Sequence, residues 1–279
     1  MDLIVGKLYI CGTPIGNMED VSIRLLKTLR KVDLIACEDT RQTVKILNRY
    51  KIKKPLLSYH EHSDKNREDN LLQKLIEGEK IALVSDAGMP TISDPGEGLI
   101  KKVIEAGIDI EVIPGPSALT AALSISGLDT SSFIFVGFLP AKQKRRQEEL
   151  QDFLDEKRTI ICYESPHRLL RTLNDIELVL GQDREIVVAR EMTKKFEEVI
   201  RGHVGEVIEH FTKTAPRGEI CLLIGKKTSK EEVEFEQVID EVKTLIASGI
   251  DKKEAFKMKA QEYSIKKSII YNYFVENKD

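Results

Sequence analysis

Apolar residues alternate along residues 1–114 between short continuous runs and stretches with helical spacing. The run KLYIC comes first, and Ile23, Leu26 and Leu29 then recur at the spacing of one helix face. The runs LIACEDT, PLLSYH, KIALVSD and IDIEVIP follow, separated by amphipathic segments, one of them with Ser63 as a predicted cap and Gly78 as its end. This alternation predicts a mostly parallel sheet covered by helices on both faces.

The pattern changes after residue 115. A short helix is predicted in PGPSALTAALSISGL, and further helices at about 143–157, 166–180 and 204–212. Five strand-like runs lie among them: SSFIFVGF, RTIICYES, REIVVARE, KFEEVIRG and GEICLLIGK. Because several of these runs are joined by short connections, we expect a mixed or antiparallel sheet and an α+β second domain.

The amino-acid composition changes after Lys227. An acidic segment is followed by a lysine-rich one in which Ile265, Ile269, Ile270 and Phe274 recur at helical spacing. This indicates either a small helical appendage with a solvated lysine face or a helix-turn-helix-like pair. The predicted domains are therefore an N-terminal α/β domain (1–114), a second α+β domain (115–227) and a helical C-terminal extension (228–279).

Composition excludes several classes of protein. With 43 Lys and Arg against 46 Asp and Glu, the net charge is -3, which excludes a globally basic nucleic-acid coat but allows a local basic patch. The four cysteines are scattered inside apolar runs without metal-ligand spacing, so we interpret them as buried strand residues and predict no metal site. The chain has no 18-residue apolar window and no signal-peptide pattern at its start. We therefore expect a cytoplasmic protein without a membrane span.

Two glycine- and proline-rich segments follow strands, where open α/β sheets bind ligands. The segment GTPIGN could let a ligand approach the main chain, or it could be an ordinary strand–helix turn. The segment SDAGMPTISDPG predicts a rigid irregular loop. In it, Asp86 could accept hydrogen bonds from ribose hydroxyls or an amine. Asp94, before Pro95 and Gly96, is a candidate cap for the next helix, and a functional role for it is the less favoured alternative.

Two further segments combine small or polar residues. Ser117 and Ala118 could allow close packing against a flat ligand or simply against the core. The segments CYESPHR and AREMTKK place polar clusters at successive strand exits, which could face one cleft. His167 could be a base, a phosphate contact or only a first-turn helix residue, and Glu191 could form a surface salt bridge with Arg190 or Lys194.

One basic run stands out in this slightly acidic chain. It follows the segment FVGFLP and comprises Lys142, Lys144, Arg145 and Arg146. Such a run suits a phosphate-rich substrate. The alternative is a solvated helix start, which is disfavoured because a basic first turn opposes the helix dipole.

Eight blocks of the sequence occur in an order typical of one family. The blocks are GTPIGN, CEDTR, SDAGMPTISDPG, VIPGPSALTAA, GFLPAK, YESPHR, AREMTKKFEE and GEICLLIG. From about Gly6 to Lys226 the chain thereby resembles the ribosomal RNA small subunit methyltransferases of the tetrapyrrole methylase fold, and its lysine-rich C-terminal helices resemble their extra domain.

The resemblance implies an activity and a cofactor. Members of the family use S-adenosylmethionine to methylate the ribose 2′-hydroxyl of a cytidine in the decoding region of small-subunit (16S) ribosomal RNA. They are homodimers of two α/β domains that bind the cofactor in the cleft between the domains. By analogy, the cofactor-binding residues here are Asp86, Gly88, Met89, Ser117, Ala118, Glu164 and Gly218, with Glu219 as a further candidate.

A ribose hydroxyl is a poor nucleophile until its proton is removed or its developing charge is stabilised. The candidates for this catalytic role are Glu38, Asp39, His167 and Lys194, which the sequence does not rank. The predicted RNA contacts are Arg41, Lys142, Arg145 and Arg146, toward free ribosomal RNA or the assembled small subunit. Two rival enzyme functions share the fold, methylation of corrinoid precursors and of the diphthine precursor. A non-catalytic RNA-binding module is the rival from another class.

Overall fold

The computed structural model describes residues 6–60, 65–227, 235–263, 265 and 267–276. The chain divides at Lys226 into two compact units. The first unit contains two five-stranded sheets, and the second contains the C-terminal helices. The sheets involve residues 7–113 and 133–224, so each lies within one of the two domains predicted for this part of the chain.

The first sheet is entirely parallel, as the alternation predicted. Its strand order is β3-β2-β4-β1-β5. The strands are β1 (Lys7–Cys11), β2 (Leu34–Cys37), β3 (Leu56–Ser58), β4 (Lys80–Val84) and β5 (Asp109–Ile113). The helices between them are α1 (Ile23–Lys31), α2 (Thr40–Arg49), α3 (Lys65–Ile76) and α4 (Glu97–Glu105). The predicted cap Ser63 lies outside the described residues, whereas Gly78 follows α3 with φ +98°.

Continuous apolar strands explain why this sheet is buried on both faces. Leu8 and Ile81 belong to one hydrophobic cluster, and their strand neighbours Tyr9 and Ala82 belong to another on the opposite face. The cysteines follow the same rule. All four are free and buried, in β1, β2 and two strands of the second sheet, which confirms the interpretation made from the sequence.

The second sheet is mixed, as predicted, with the order β6-β7-β10-β8-β9. Only the β6–β7 pair is parallel; the other three pairs are antiparallel. The strands are β6 (Phe133–Phe138), β7 (Thr159–Glu164), β8 (Glu185–Arg190), β9 (Glu198–His203) and β10 (Ile220–Ile224). The helices are α5 (Ala118–Ser126), α6 (Gln143–Gln151), α7 (Leu169–Leu180) and α8 (Val204–Lys213).

Helix α6 ends at Gln151, six residues before the predicted end, because a distant arginine binds the following carbonyls. The buried Arg184 guanidinium donates to the carbonyl oxygens of Phe153 (3.1 Å) and Leu154 (3.3 Å). Those carbonyls are thereby removed from any continuing helical ladder. Helix α7 begins at Leu169 rather than 166, after a turn that contains Pro166.

The C-terminal unit is helical, as predicted. It comprises α9 (Phe235–Ala247), α10 (Lys252–Glu262) and α11 (Lys267–Glu276). Phe256 and Ile270 are buried in its core, whereas Ile269 is half exposed. Of all the helices in the described ranges, none has the length and apolar character that a bilayer crossing requires.

Three loops meet at the carboxyl ends of the central parallel strands. The Gly12 amide donates to the Ile113 carbonyl (3.0 Å), and Thr13 and Gly88 exchange backbone hydrogen bonds of 2.9 and 3.2 Å. A Cβ placed on Gly115 would lie 2.6 Å from the Gly12 carbonyl oxygen, closer than real Cβ contacts allow. The loops after β1, β4 and β5 are therefore in direct backbone contact, which only glycine permits at these positions.

We expect Gly115→Ala to lower the free energy of unfolding by about 1–3 kcal/mol, because the new methyl group overlaps backbone that cannot rotate away. Denaturant titration followed by circular dichroism measures this change. The matched control is Gly205→Ala in α8, where a Cβ would meet only Glu177 Oε1, at 3.5 Å. Removing helical glycine there should stabilise by about 0.5–1 kcal/mol. Equal stability of the two variants would contradict the close approach of these loops.

Candidate active site

The loops that meet at the carboxyl ends of the parallel strands form one wall of a cavity of about 370 Å³, and the second sheet forms the other. This volume is typical of a small-molecule site. The first wall includes Ile15, Gly88, Met89, Asp94, Ser117 and Ala118. The second wall includes Phe138, Tyr163, Glu164, Met192, Gly218 and Glu219. The cavity therefore lies between the two sheets, where a cleft was predicted from the sequence.

Most of the residues predicted to bind a cofactor lie on the cavity wall: Gly88, Met89, Ser117, Ala118, Glu164 and Gly218. Asp86 is the exception. Its carboxylate Oδ1 accepts a hydrogen bond from the Asp39 amide nitrogen at 3.0 Å, so it joins the loop after β4 to the start of α2. The contact between Asp86 and the cofactor stays a prediction.

Asp94 was predicted as a helix cap, and this was wrong. The residue that caps α4 is Gly96, which has φ +136°, and Asp94 instead lines the cavity. Burial, together with the nearby negative charge of Glu38, raises the pKa of the Asp94 carboxyl to about 6. The sequence favoured Asp86 over Asp94 as the functional residue, whereas the structure places only Asp94 in the cavity.

The charge of the cavity is negative. Besides Asp94, it contains Glu164, whose carboxylate accepts from Thr172 Oγ1 (2.6 Å) and the Ser165 amide (2.7 Å), and Glu219, which pairs with Lys194 (2.9 Å). Among the described residues, no lysine or arginine lines the cavity. Acidic and aromatic side chains on the wall suit a positively charged ligand, and of the three acids Glu164 and Glu219 already have a cation beside them, Arg168 and Lys194.

Loops from the two sheets also contact each other directly, at the C-terminal end of the GTPIGN segment. The Asn17 amide donates to Thr193 Oγ1 at 3.0 Å, and a Cβ on Gly16 would lie 2.5 Å from Lys194 Cγ. The residues on either side of Met192 have positive φ, +51° at Glu191 and +65° at Thr193, an unfavourable conformation for non-glycine residues. This backbone directs Met192 into the cavity.

Several cavity residues were missed from the sequence, among them Ile15, Phe138, Tyr163 and Met192. Each is an apolar residue inside or beside a block that was singled out for its polar or glycine residues. The available signal was their position at or near a strand exit, which was not applied to these four side chains.

None of the four predicted catalytic side chains is among the lining residues. Asp39 caps α2 and pairs with Arg41, whose hydrogen bonds lower the pKa of the Asp39 carboxyl. Although burial acts in the opposite direction, Glu219 and Glu191 raise the pKa of Lys194, so this residue stays a cation. His167 is exposed in the turn before α7, and Glu38 follows β2. Their catalytic roles stay predictions.

The basic run divides into exposed and buried residues. Lys142, Lys144 and Arg145 are exposed, but Arg146 is only 3% exposed. The Arg146 guanidinium donates to Asp175 Oδ2 at 2.8 Å and to the carbonyls of Pro140 and Ala141. The prediction that Arg146 binds RNA was therefore wrong, because its donors are engaged inside the protein.

We expect Arg146→Ala to destabilise the protein by about 3 kcal/mol, since it leaves Asp175 buried without its charged partner. The adjacent Arg145→Ala is the matched control and should change stability by less than about 0.5 kcal/mol, because Arg145 is exposed. Thermal unfolding of both variants at neutral pH measures the difference. If Arg145→Ala were the more damaging change, the assignment of buried and exposed roles would be refuted.

Comparison with known proteins defines the class. The family model described as Tetrapyrrole (Corrin/Porphyrin) Methylases matches residues 7–208. A uroporphyrin-III C-methyl transferase from Thermus thermophilus, solved in complex with S-adenyl homocysteine, superimposes with a TM-score of 0.57 at 18% identity, over 79% of this chain and 97% of that one. A putative diphthine synthase from Entamoeba histolytica gives 0.56 at 16% identity, over 83% and 96%. The fold is that of the tetrapyrrole methylases.

Proteins of similar sequence identify one family within the tetrapyrrole methylases. A protein from Thermotoga maritima named ribosomal RNA small subunit methyltransferase I is 54% identical over 223 residues, covering 80% of this chain and all of that protein. Its namesake from Synechocystis is 46% identical over 274 residues, covering 98% of both chains. The chain therefore belongs to the ribosomal RNA small subunit methyltransferase I family of tetrapyrrole-fold methylases.

Proposed function

We propose that this protein transfers the methyl group of S-adenosylmethionine to the ribose 2′-hydroxyl of a cytidine in the decoding region of small-subunit (16S) ribosomal RNA. The observation that carries the proposal is the acidic cavity between the two sheets, whose second wall includes Phe138, and exposed basic residues follow Phe138 closely along the chain. The names of the relatives support ribosomal RNA as the substrate.

The residues of the cavity fit this cofactor. S-Adenosylmethionine supplies a methyl group bound to a positively charged sulfur, and the lining carries Asp94, Glu164 and Glu219 without a lysine or arginine among the described residues. Gly88, with φ +82°, and Ala118 leave room for a flat group to lie against backbone. Ser117 makes no side-chain cap on α5, so the first-turn amides of that helix suit the cofactor carboxylate.

The protein mainly provides orientation. Holding two reactants in line can lower a barrier by about 7–11 kcal/mol, provided that the walls do not move. The backbone contacts between Thr13 and Gly88 and the bond from Asn17 to Thr193 fix the loops on both sides of the cavity. Rigid walls are therefore the part of the mechanism that this architecture supplies most directly.

RNA binding is proposed for the exposed positive side chains Arg41, Lys142 and Arg145. The Arg41 side chain is 87% exposed and is held by Asp39 at 2.6 Å, beside the loop that carries Glu38. Lys142 and Arg145 lie at the start of α6, shortly after β6, whose last residue Phe138 lines the cavity. We therefore propose that these side chains bind the phosphates of the RNA.

The resemblance also supports a homodimer in the cytoplasm. We propose that two copies associate in solution, which multi-angle light scattering measures directly. The substrate is either free ribosomal RNA or the assembled small subunit, and the two differ in which cytidines are accessible.

The proposal predicts that methyl groups labelled in S-adenosylmethionine appear on small ribosomal subunits that lack the modification. Nuclease digestion and mass spectrometry should find them on 2′-O-methylcytidine from the decoding region. Ala118→Leu, which places a bulky side chain in the cavity, should reduce transfer and cofactor affinity at least tenfold. Ser124→Leu, on an exposed position of the same helix, is the matched control and should retain both.

The rival activities are separated by the acceptor. Label on a corrinoid precursor, or on the diphthine precursor, with none on ribosomal RNA would replace the proposed substrate. If calorimetry detected no binding of S-adenosylmethionine, the protein would instead be a non-catalytic RNA-binding module.

For RNA binding, we expect Lys142→Glu and Arg145→Glu to weaken affinity and to reduce the slope of log K against log salt by about one for each phosphate that is no longer bound. Affinity for S-adenosylmethionine should not change. Filter binding at several salt concentrations measures the slope. Lys27→Glu, an exposed charge reversal on α1, controls for net charge. An unchanged slope in the first two variants would place the RNA path on another face.

A further inference from the structure

We infer that Asp94 is the residue that accepts the proton of the ribose hydroxyl during methyl transfer. This inference rests on the proposed function and goes beyond it, because the sequence had pointed to Glu38, Asp39, His167 and Lys194 as the candidates for that role. The position of Asp94, the strain of its loop and its charged surroundings all support it.

Asp94 lies where the two walls of the cavity approach each other. It belongs to the loop between β4 and α4, on the wall formed by the parallel sheet. It shares the cavity with Tyr163 of the second sheet, and a Cβ on Gly137 in β6 would meet Ser93 Oγ, on the residue before Asp94, at 3.3 Å. A carboxylate is therefore available on the cavity wall, in a loop that contacts the second sheet.

The loop around Asp94 is held in an unfavourable conformation. Thr91 has φ +72° and Ser93 has φ +61°, and neither is glycine. Gly96 has φ +136°, and a Cβ there would lie 2.8 Å from Thr91 Cγ2 and 2.9 Å from Leu83 Cδ2. Such strain persists where the surrounding structure fixes it, most often at functional sites. The backbone that carries the Asp94 carboxylate is thereby held in place before any substrate binds.

The other cavity acids are already committed to partners. Glu164 accepts two hydrogen bonds and pairs with Arg168 at 3.2 Å, while Glu219 pairs with Lys194 at 2.9 Å. Among the ion pairs between described residues, none includes Asp94. A carboxylate without a cation beside it keeps its affinity for a proton, which is what a general base requires.

The charged and titratable groups around Asp94 favour the same role. Glu38, at the exit of β2, and Asp86, on the same loop, are both acidic, and the Ser85 hydroxyl partly opposes their effect. Burial is the largest influence, and with these neighbours it gives the Asp94 carboxyl a pKa of about 6. At pH 7 to 8 the group is therefore mostly ionised and still basic enough to receive a proton.

Atoms and charges balance in the proposed step. The ribose oxygen forms a bond to the methyl carbon as the carbon–sulfur bond breaks, and that bond's electron pair stays on sulfur, which becomes neutral. The hydroxyl proton passes to the Asp94 carboxylate, which also becomes neutral and later releases the proton to water. One positive and one negative charge in the cavity are thus neutralised together.

The test compares Asp94→Asn with wild type in single-turnover methylation from pH 5 to 9. Wild-type rates should rise with pH, with a midpoint near 6, and the variant should be slower by roughly 10²–10⁴-fold without that midpoint. Calorimetric affinity for S-adenosylmethionine should fall by less than about tenfold, because Asp94 is one of three carboxylates on the cavity wall and its main role is toward the hydroxyl. Asp109→Asn, an exposed carboxylate on β5, is the matched control and should behave as wild type.

Two further readouts separate this role from a structural one. Glu38→Gln should move the rate midpoint to lower pH, because it removes a negative charge that raises the pKa of Asp94. The raised pKa also means that ionising Asp94 destabilises the fold as pH rises from about 4 through 6. Asp94→Asn should therefore melt at a higher temperature than wild type at pH 8, with no gain at pH 3.5.

Three outcomes would overturn the inference. Wild-type rates in Asp94→Asn would exclude a proton acceptor there. A drop in cofactor affinity above tenfold, with the pH midpoint kept, would make Asp94 a cofactor anchor instead. Absence of any 2′-O-methyl product from wild type would overturn the proposed function, and this inference with it, whereas a wild-type product with an unimpaired variant overturns the inference alone.

Discussion

The approach of Gly12 to Gly115 is the constraint on which the rest of this structure depends. The carbonyl oxygen of Gly12 lies so close to residue 115 that even a methyl group does not fit between them. This contact and the two backbone hydrogen bonds between Thr13 and Gly88 bring together the loops that follow β1, β4 and β5. The first wall of the cavity is made of these loops, so its shape is set by backbone rather than by adjustable side chains.

The arrangement of the sheets could be predicted from the sequence because burial leaves a strong local mark. A strand covered on both faces must be apolar throughout, and the segments around Leu8, Ile35 and Leu83 are. Helices between such strands leave parallel pairing as the simple connection. Most of the residues predicted to bind the cofactor also lie on the cavity wall, since parallel strands bring their carboxyl ends to one edge of the sheet.

What could not be predicted depends on partners far away in sequence. Arg145 and Arg146 are adjacent residues of the same type. Arg146 is the buried one, because it binds Asp175 on another helix. The sequence ranked Asp86 above Asp94 as the functional residue, whereas the structure places only Asp94 on the cavity wall. The Asp39 amide binds the Asp86 carboxylate outside the cavity, and positive φ angles direct the loop backbone that carries Asp94. Local pattern identifies a loop as functional, but tertiary contacts decide which of its side chains faces the ligand.

The position of β1 in its sheet has a consequence for biosynthesis. Among the strands of this sheet it is synthesised first, yet its neighbours are β4 and β5, which pair with it more than seventy residues further along the chain. During translation, β1 therefore stays apolar and unpaired until most of the first sheet has left the exit tunnel. Slowly translated codons, or a chaperone that binds β1 during that interval, would change the yield of folded protein without changing the structure of the folded enzyme.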